Sequence, residues 1–349
     1  MSFLLNLLAH SLRPEKNPDI PTASQSRRIL VIRRNRLGDM ICTLPLLHAL
    51  RKHDSAAHVA VACDPAGAPI ARACPAVDEV IVLQPAWTRW LATMKNAARL
   101  QDYGLVIAAK GGFDRRLATL ARLTNAPRRI GFGTGIDCAT DYYTDPVAPP
   151  ENPHEVHQIE TALLLLRPLG ITDAAIDLSL SLPTESRQFA ESILAQPPFA
   201  SSRPFMLINL SSTTPLKFSR DDFAALIGRI LDSTDFAVGL VAAPADQSKA
   251  GELAAFLASP RVIAVATPGP LELAALLERA SLLLTPEGGA AHLAAAMKTS
   301  AVILWSEGPF QKWRSRGENH IFIRAEPGEK SIPLDRVWQT LQTHSSFPS

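Results

Sequence analysis

The chain has 349 residues, 47% of them hydrophobic and 19% charged, and a formal net charge of +2 at pH 7. This composition is typical of a globular protein, and the length favours two domains over a single core. The small net charge argues against nucleic acid as a partner, although local arginine pairs can still mark anion sites. The sequence has no unbroken apolar run of about 18 residues, which argues against a transmembrane helix.

The chain begins with a short apolar segment, residues 1–12, followed by a polar linker with three prolines from Pro14 to Ser26. The segment lacks the basic residues that begin a secretion signal. Two interpretations stay open for it. It forms an amphipathic helix on a membrane surface, which would be the inner face of the inner membrane, or it packs on the protein itself or on a partner.

The four cysteines have neither metal-ligand spacing nor CxxC spacing. We therefore expect reduced and mostly buried thiols, as in a cytoplasmic protein. The cysteines are Cys42, Cys63, Cys74 and Cys138.

Short apolar runs in the first half of the chain predict buried strands. These strands are Ile29–Ile32, Val59–Ala62, Val80–Leu83, Leu105–Ala108 and Arg128–Phe132. Between them lie helical patterns, the first of which begins at Gly38 and continues through Leu50. A longer pattern from His154 to Leu169 predicts one helix that ends at Gly170. Strands that alternate with helices predict a parallel sheet covered on both faces.

The alternation is interrupted between Asp173 and Thr184 and then restarts. The second set of predicted strands is Phe205–Asn209, Ala237–Val241, Val262–Val265, Leu282–Leu284 and Ala301–Leu304. Leu334–Leu341 predicts a last helix. We therefore expect an α/β protein with two doubly wound, Rossmann-like halves.

The expected domains are residues 28–180 and 181–330, with an N-terminal segment at 1–27 and a C-terminal helix and tail at 331–349. Ligands of open parallel sheets bind at the carboxyl ends of the strands, so we expect both halves to face a common cleft.

The most informative stretch follows the strand at Leu282–Leu284, where Glu287, Gly288 and Gly289 lead into an alanine-rich helix. Paired glycines at a helix start leave backbone N–H groups free to meet an anion. Glu287 can accept from a ribose or sugar hydroxyl, and His292 on the first helical turn can reach a phosphate. The alternative interpretation is a tight turn with a solvent-facing acid and a core histidine.

Two other strand exits carry polar residues. Asp39 follows the first strand and suits a general base, although the pattern alone favours a helix-capping aspartate. The stretch from Asn209 to Lys217 offers hydroxyls and a lysine that can hold a diphosphate, or forms a solvated loop. Asp246 either caps a helix or accepts from a ribose.

Together these stretches resemble the heptosyltransferase-like glycosyltransferases of family nine, which have the GT-B fold. Gly38-Asp39 and Thr43-Leu44-Pro45 resemble the family's first turn and helix, and Pro286 to His292 resembles its Asp-Thr-Gly-x-x-His motif. Lys110 to Arg116 and Arg129 to Phe132 resemble the stretches that face the acceptor. Trp313 resembles a later tryptophan of the family.

The resemblance implies a set of site residues. Asp39 would be the general base. The implied donor-binding residues are Ser212, Thr213, Lys217, Asp246, Glu287, Gly288, Gly289 and His292. The implied acceptor-binding residues are Arg33, Arg36, Lys110, Arg115 and Arg116.

The implied reaction is an inverting transfer of a sugar, heptose from ADP-heptose, to a lipopolysaccharide-core or related glycan. The expected partners are therefore a nucleotide sugar and a glycolipid or glycan acceptor. No metal and no cofactor are expected beyond the nucleotide-sugar co-substrate.

This chain departs from the family pattern on the donor side. Glu287-Gly288 stands where the family has Asp-Thr, and Trp305 to Gly308 stands where it has Phe-Gly-Pro-Thr. Two alternatives follow: a transferase that uses another nucleotide sugar, or a catalytically degenerate protein that binds sugar nucleotides. A dehydrogenase is disfavoured because no G-x-G-x-x-G follows the first strand.

Overall fold

The structure, a computed structural model, describes residues 27–34, 36–83, 90–136, 138–200, 203–212 and 214–347. The expected N-terminal segment at residues 1–12, its linker and Thr213 lie outside these ranges. The chain divides into two compact units between Ser179 and Leu180. Each unit contains one parallel sheet with helices in its connections.

The first unit has six described strands in the order β3-β2-β1-β4-β5-β6. These are β1 (Arg28–Arg33), β2 (His58–Cys63), β3 (Glu79–Val82), β4 (Leu105–Ala108), β5 (Arg128–Phe132) and β6 (Asp145–Val147). The helices are α1 (Leu37–Ile41), α2 (Leu44–His53), α3 (Ala68–Ala73), α4 (Trp90–Ala98), α5 (Arg115–Leu123) and α6 (Gln158–Leu163). Two 3₁₀ turns lie at Ala139–Asp141 and Leu164–Leu169.

The second unit repeats this arrangement in the order β12-β11-β10-β7-β8-β9. Its strands are β7 (Phe205–Asn209), β8 (Ala237–Val241), β9 (Val262–Ala264), β10 (Leu282–Pro286), β11 (Ala301–Trp305) and β12 (His320–Arg324). Its helices are α7 (Thr184–Leu194), α8 (Arg220–Ser233), α9 (Gln247–Leu257), α10 (Pro270–Leu277), α11 (Gly289–Ala296), α12 (Phe310–Trp313) and α13 (Leu334–Thr343). A 3₁₀ turn at Pro244–Asp246 precedes α9.

Strand order reverses at one point in each sheet. In the first unit β1 pairs with both β2 and β4, and in the second β7 pairs with both β8 and β10. The connections on one side of this point cover one face of the sheet, and those on the other side cover the opposite face. A crevice therefore opens there at the carboxyl ends of the strands. This topology confirms the predicted doubly wound α/β class and sets where each unit can bind a ligand.

The strands are apolar because both faces of each sheet are covered. Leu30, Val31 and Ile32 are fully buried in β1, as are Leu282, Leu283 and Leu284 in β10. Such strands carry near-continuous aliphatic runs instead of an alternating pattern. This property made the central strands predictable from the sequence.

The structure differs from the sequence prediction at two edge strands and two helices. β6 and β12 were not predicted, because Asp145–Val147 is short and polar and His320–Arg324 is half exposed. The helix predicted over residues 154–169 is α6 followed by a 3₁₀ turn, since His157 caps α6 at Ile159 N and Pro168 cannot donate to an earlier carbonyl. The first predicted helix divides into α1 and α2, and Pro45 lies in the first turn of α2.

The prediction of unpaired, mostly buried cysteines is confirmed. Cys42, Cys63 and Cys74 are buried free thiols, and Cys138 is partly exposed. Burial raises the pKa of the Cys63 thiol to about 12 and that of Cys74 to about 11. Thiols with such values hold almost no thiolate at neutral pH and are poor nucleophiles.

His320 makes the stability of the second unit depend on pH. Its Nε2 lies 3.1 Å from Thr299 O and its Nδ1 lies 2.7 Å from Ser315 Oγ, so the neutral ring satisfies both contacts. Burial lowers the pKa of His320 from 6.5 to about 4, and the nearby His344 acts in the same direction. The pKa of His320 is lower in the folded protein than in the unfolded chain. The stabilisation that neutral His320 contributes is therefore complete above about pH 6.5 and is lost as the pH falls toward 4.

We expect His320→Asn to flatten this dependence. Between pH 7 and pH 4 the wild type should lose up to about 3 kcal/mol of unfolding free energy through this group. Urea unfolding at a series of pH values measures the effect, with the exposed His53→Asn as the control. Equal pH slopes for wild type and His320→Asn would contradict the assignment.

Candidate functional site

The carboxyl ends of β1 and β4 hold an ion pair around Asp39. Arg33 ends β1 with only 2% of its side chain exposed, and its Nη1 donates to Ala109 O at 2.6 Å. Its Nη2 donates to Asp39 Oδ1, while Asp39 Oδ2 accepts from Arg36 N at 3.3 Å. The carboxylate lies in the first turn of α1 and is oriented through both oxygens. The capping interpretation is therefore confirmed by the contact of Oδ2 with the Arg36 amide, and the role of Asp39 as a base stays a prediction.

A second carboxylate, Asp114, organises the turn that follows β4. Its Oδ1 accepts from the backbone N–H groups of Arg116 and Leu117 at 2.9 and 3.1 Å, which caps α5. Its Oδ2 accepts from Lys110 Nζ and lies 3.8 Å from Arg34 Nη1. Burial alone would raise the pKa of Asp114. The hydrogen bonds from Lys110 and the Leu117 amide, with the two cationic charges, bring that pKa below its usual value.

The predicted acceptor-binding residues therefore differ in their surroundings. Arg33 is buried and bonded to Asp39 and Ala109, so it orients the Asp39 carboxylate. Lys110 is partly buried and paired with Asp114. Arg36, Arg115 and Arg116 are exposed. Cationic side chains outnumber carboxylates at this end of the sheet, which favours an anionic ligand.

In the second unit, the loop after β7 is fixed at its beginning by several hydrogen bonds. Asn209 Nδ2 donates to Ser211 O and to Thr285 Oγ1, both at 3.0 Å, so it joins the ends of β7 and β10. Ser211 Oγ donates to Asp246 Oδ2 at 2.8 Å. Hydrogen bonds from Lys249 and Ser211 hold the pKa of Asp246 below its usual value. Asp246 immediately precedes α9, but its side chain makes no cap and joins two strand exits instead.

The same loop is fixed again at its end. Lys217 N donates to Ser306 Oγ at 3.1 Å, and Lys217 O accepts from Ile332 N at 2.7 Å. Ser306 directly follows β11 and is buried. The Lys217 backbone is thus rigidly placed, while its side chain is only partly buried.

The glycine turn lies where the sequence predicts it. β10 ends at Pro286, Glu287 N donates to Leu304 O at 3.0 Å, and α11 begins at Gly289. Gly288 has φ of +143°, a backbone conformation that favours glycine. Apart from its chain neighbours, no described residue has a heavy atom within 4 Å of the position that a Cβ would take there. His292 lies on the first turn of α11 and is 7% exposed. Open space thus lies in front of Gly288.

Sequence reasoning named the stretch from Asn209 to Lys217 without singling out Asn209 or Thr214, and it gave Ser306 no role in the site. Thr214 Oγ1 donates to Glu287 Oε1, so the carboxylate predicted to bind a ligand hydroxyl already has an internal partner. Ser306 belongs to the stretch that departs from the family pattern, and that departure was the available signal. Trp313 ends α12, and its ring centroid lies 5.8 Å from Lys312 Nζ.

Among the described residues, no three His, Cys, Asp or Glu side chains are placed to hold a metal ion. Within the same ranges, no helix is both long enough and apolar enough to cross a membrane.

Two parallel six-stranded sheets of order 3-2-1-4-5-6, each with polar groups at its reversal point, match the GT-B fold of solved glycosyltransferase structures. The sequence profile of glycosyltransferase family 9 (heptosyltransferase) matches residues 92–337. The chain therefore belongs to glycosyltransferase family 9 and is a glycosyltransferase by homology.

Solved structures share this fold. A family 9 glycosyltransferase from Veillonella parvula is 18% identical with a TM-score of 0.79, covering 93% of this chain and 98% of its own. The E. coli ADP-heptose LPS heptosyltransferase II is 18% identical with a TM-score of 0.73, covering 90% and 97%. E. coli heptosyltransferase WaaC with ADP-2-deoxy-2-fluoro heptose is 21% identical with a TM-score of 0.71, covering 90% and 99%. A comparison with curated protein sequences gives no significant match.

The ion pair at Asp39 should be structurally important. Arg33→Met would leave the Asp39 carboxylate, 13% exposed, without its cationic partner. We expect a loss of about 3 kcal/mol in unfolding free energy, typical of a broken buried pair. Arg36→Met removes an exposed arginine and should change stability by less than about 0.5 kcal/mol. Urea unfolding of both variants measures these changes. Equal losses of unfolding free energy in the two variants would contradict a stabilising role of the Arg33–Asp39 ion pair.

Proposed function

We propose that this glycosyltransferase is catalytically active and transfers heptose from ADP-heptose to an anionic glycan of the lipopolysaccharide-core type. The observation that carries the proposal is the Asp39 carboxylate, held by Arg33 and the Arg36 amide at the reversal point of the first sheet. An oriented carboxylate in a crevice is suited to accept a proton from a hydroxyl. The family and the WaaC structure with ADP-2-deoxy-2-fluoro heptose support the donor class.

In the proposed reaction, an acceptor hydroxyl attacks the anomeric carbon of the donor while Asp39 takes its proton. The bond between the anomeric carbon and the diphosphate oxygen breaks, and the configuration inverts. The leaving diphosphate gains negative charge, which the Lys217 ammonium and the N–H groups at the start of α11 can stabilise. Ser212 and His292, with Thr213 outside the described residues, complete the proposed diphosphate contacts.

The charge around Asp39 supports an anionic acceptor. Among the described residues, six cationic side chains lie at the ends of β1 and β4 beside two carboxylates, Asp39 and Asp114. The cations are the buried Arg33 and, in addition, Arg34, Arg36, Lys110, Arg115 and Arg116. Such a surface attracts carboxylated or phosphorylated glycans and repels cationic ligands. A catalytically degenerate protein that binds sugar nucleotides without transferring the sugar would share this donor side, so turnover separates the two alternatives.

Asp39→Asn and Lys217→Ala should impair the enzyme in different ways. Asp39→Asn keeps the shape of the side chain but cannot accept the proton, so we expect unchanged ADP affinity and a fall in kcat of about 100-fold or more. Lys217→Ala should weaken ADP binding because a charge on the diphosphate is lost. Calorimetric titration with ADP and initial rates with ADP-heptose measure the two effects, with the exposed Lys52→Ala as the control.

Near-wild-type transfer by Asp39→Asn would exclude it as the base. Tight ADP binding without transfer by the wild type would instead favour the degenerate alternative. A thermal-shift comparison of ADP-, UDP-, GDP- and CDP-sugars identifies the donor if ADP-heptose is not used.

The proposal extends to the membrane through residues 1–12, which lie outside the described ranges. A glycolipid acceptor is embedded in a membrane, and Phe3 to Leu8 is apolar. We expect deletion of residues 1–26 to reduce cosedimentation with anionic vesicles but to leave transfer to a soluble acceptor analogue intact. If the full-length protein does not cosediment with such vesicles at low salt, the membrane contact through residues 1–12 is ruled out.

A further inference from the structure

One hydrogen bond joins the loop after β7 to the glycine turn after β10. Thr214 Oγ1 donates to Glu287 Oε1, and the two residues are separated by 73 positions in the sequence. Ser211 and Lys217 fix the ends of the loop on Asp246 and Ser306. Thr214 fixes the stretch between them, next to the residues proposed to hold the diphosphate.

The direction of this bond follows from the chemistry of the groups. Ionised Glu287 can only accept, so the single hydroxyl hydrogen of Thr214 points to it. Ser212 Oγ lies 3.3 Å from Thr214 Oγ1 and is therefore the donor of that contact; when Ser212 binds the diphosphate, as proposed above, its hydrogen turns to the phosphate instead. Ser212 Oγ also accepts from Thr214 N at 3.2 Å. The hydroxyls of Ser212 and Thr214 thus form a short chain that ends on a carboxylate, and a charged acceptor strengthens its last bond.

The other carboxylate oxygen remains available. Glu287 Oε2 has no hydrogen-bond partner among the residues that the structure describes, and Glu287 is only partly buried. The adjoining space in front of Gly288 is open. A carboxylate oxygen repels phosphate and accepts from hydroxyl groups, so it suits a polyol part of a ligand.

The departure from the family's Asp-Thr pair has a geometric explanation. Glu is one methylene longer than Asp, and here its carboxylate is bonded to the loop after β7. Position 288 carries no hydroxyl, whereas Thr214 on that loop supplies one to the Glu287 carboxylate. A threonine at 288 would itself be strained, because Gly288 has φ of +143°. Exchanging Glu287-Gly288 for Asp-Thr would therefore disturb the backbone as well as the chemistry.

We propose that Thr214 is a positioning residue for the donor and acts through Glu287. By holding Oε1, it fixes the carboxylate so that Oε2 accepts from a hydroxyl of the nucleotide sugar. This inference rests on the proposed function, because it takes a nucleotide sugar as the ligand. The donor motif of this chain would then consist of the Glu287 carboxylate from the turn after β10 and the Thr214 hydroxyl from the loop after β7.

Kinetics with ADP-heptose test the pair. Thr214→Val removes the hydroxyl at nearly constant volume, and Glu287→Asp retracts the carboxylate. We expect each change to raise the donor KM about tenfold, the scale of one hydrogen bond to a charged group, and to leave the acceptor KM unchanged. The double variant should be no worse than either single one, since both remove the same interaction. Thr214→Ser keeps the hydroxyl and should restore the donor KM.

The control is Thr343→Val, which removes an exposed hydroxyl on α13 that bonds only within its own helix. It should behave as wild type. An unchanged donor KM in Thr214→Val, or effects of the two changes that simply add, would overturn the inference.

A measurement without ligand separates this inference from the proposed function. Hydrogen exchange of the peptide spanning residues 211–217 should accelerate in Thr214→Val and Glu287→Asp, and should be unchanged in Thr214→Ser and Thr343→Val. Equal exchange in all variants overturns the role of Thr214, whatever the donor. A wild type that neither binds ADP nor uses ADP-heptose, but shows the expected exchange, contradicts the proposed donor and leaves Thr214 as the residue that holds the loop.

Discussion

Both units depend on one constraint: a parallel strand covered on two faces can carry polar side chains only at its ends. The aliphatic runs of β1 and β10 fill the interior, so charged and hydroxyl groups collect where the backbone leaves the sheet. All strands of a parallel sheet end at the same edge, and the reversal of strand order opens a crevice there. The position of the candidate site in each unit follows from this packing.

The two units solve the same local problem with different chemistry. In the first unit, Arg33 at the end of β1 bonds to Ala109 O, directly after β4. In the second unit, Asn209 at the end of β7 bonds to Thr285 Oγ1, near the end of β10. The charged arginine also binds Asp39, whereas the neutral asparagine fixes the backbone of Ser211. One edge therefore presents an oriented carboxylate and the other a rigid hydroxyl-bearing loop. The proposed function uses this difference, because it assigns proton acceptance to the first unit and binding of the nucleotide sugar to the second.

The sequence predicted the central strands and the class of fold because aliphatic runs report burial directly. It did not predict β6 or β12, which lie at sheet edges and owe their conformation to a neighbouring strand more than to their own residues. The strand exits with Asp39, Lys217 and Glu287 were also identifiable from the sequence. Their partners were not, because contacts such as Thr214 with Glu287 depend on register and rotamers across 73 residues.

The departures from the family pattern are connected to one another in space. Glu287 bonds to Thr214 and Ser306 bonds to Lys217, so both unusual positions fix the same loop. A random loss of motif residues would leave that loop with fewer constraints, since each lost hydroxyl or carboxylate removes a hydrogen bond. Here the loop is bonded at Ser211, Thr214 and Lys217 to three different strand exits. Such preorganisation reduces the entropy lost on binding and is what a site for a specific ligand requires. These bonds support the proposed donor site with a shifted geometry over the alternative of a degenerate site.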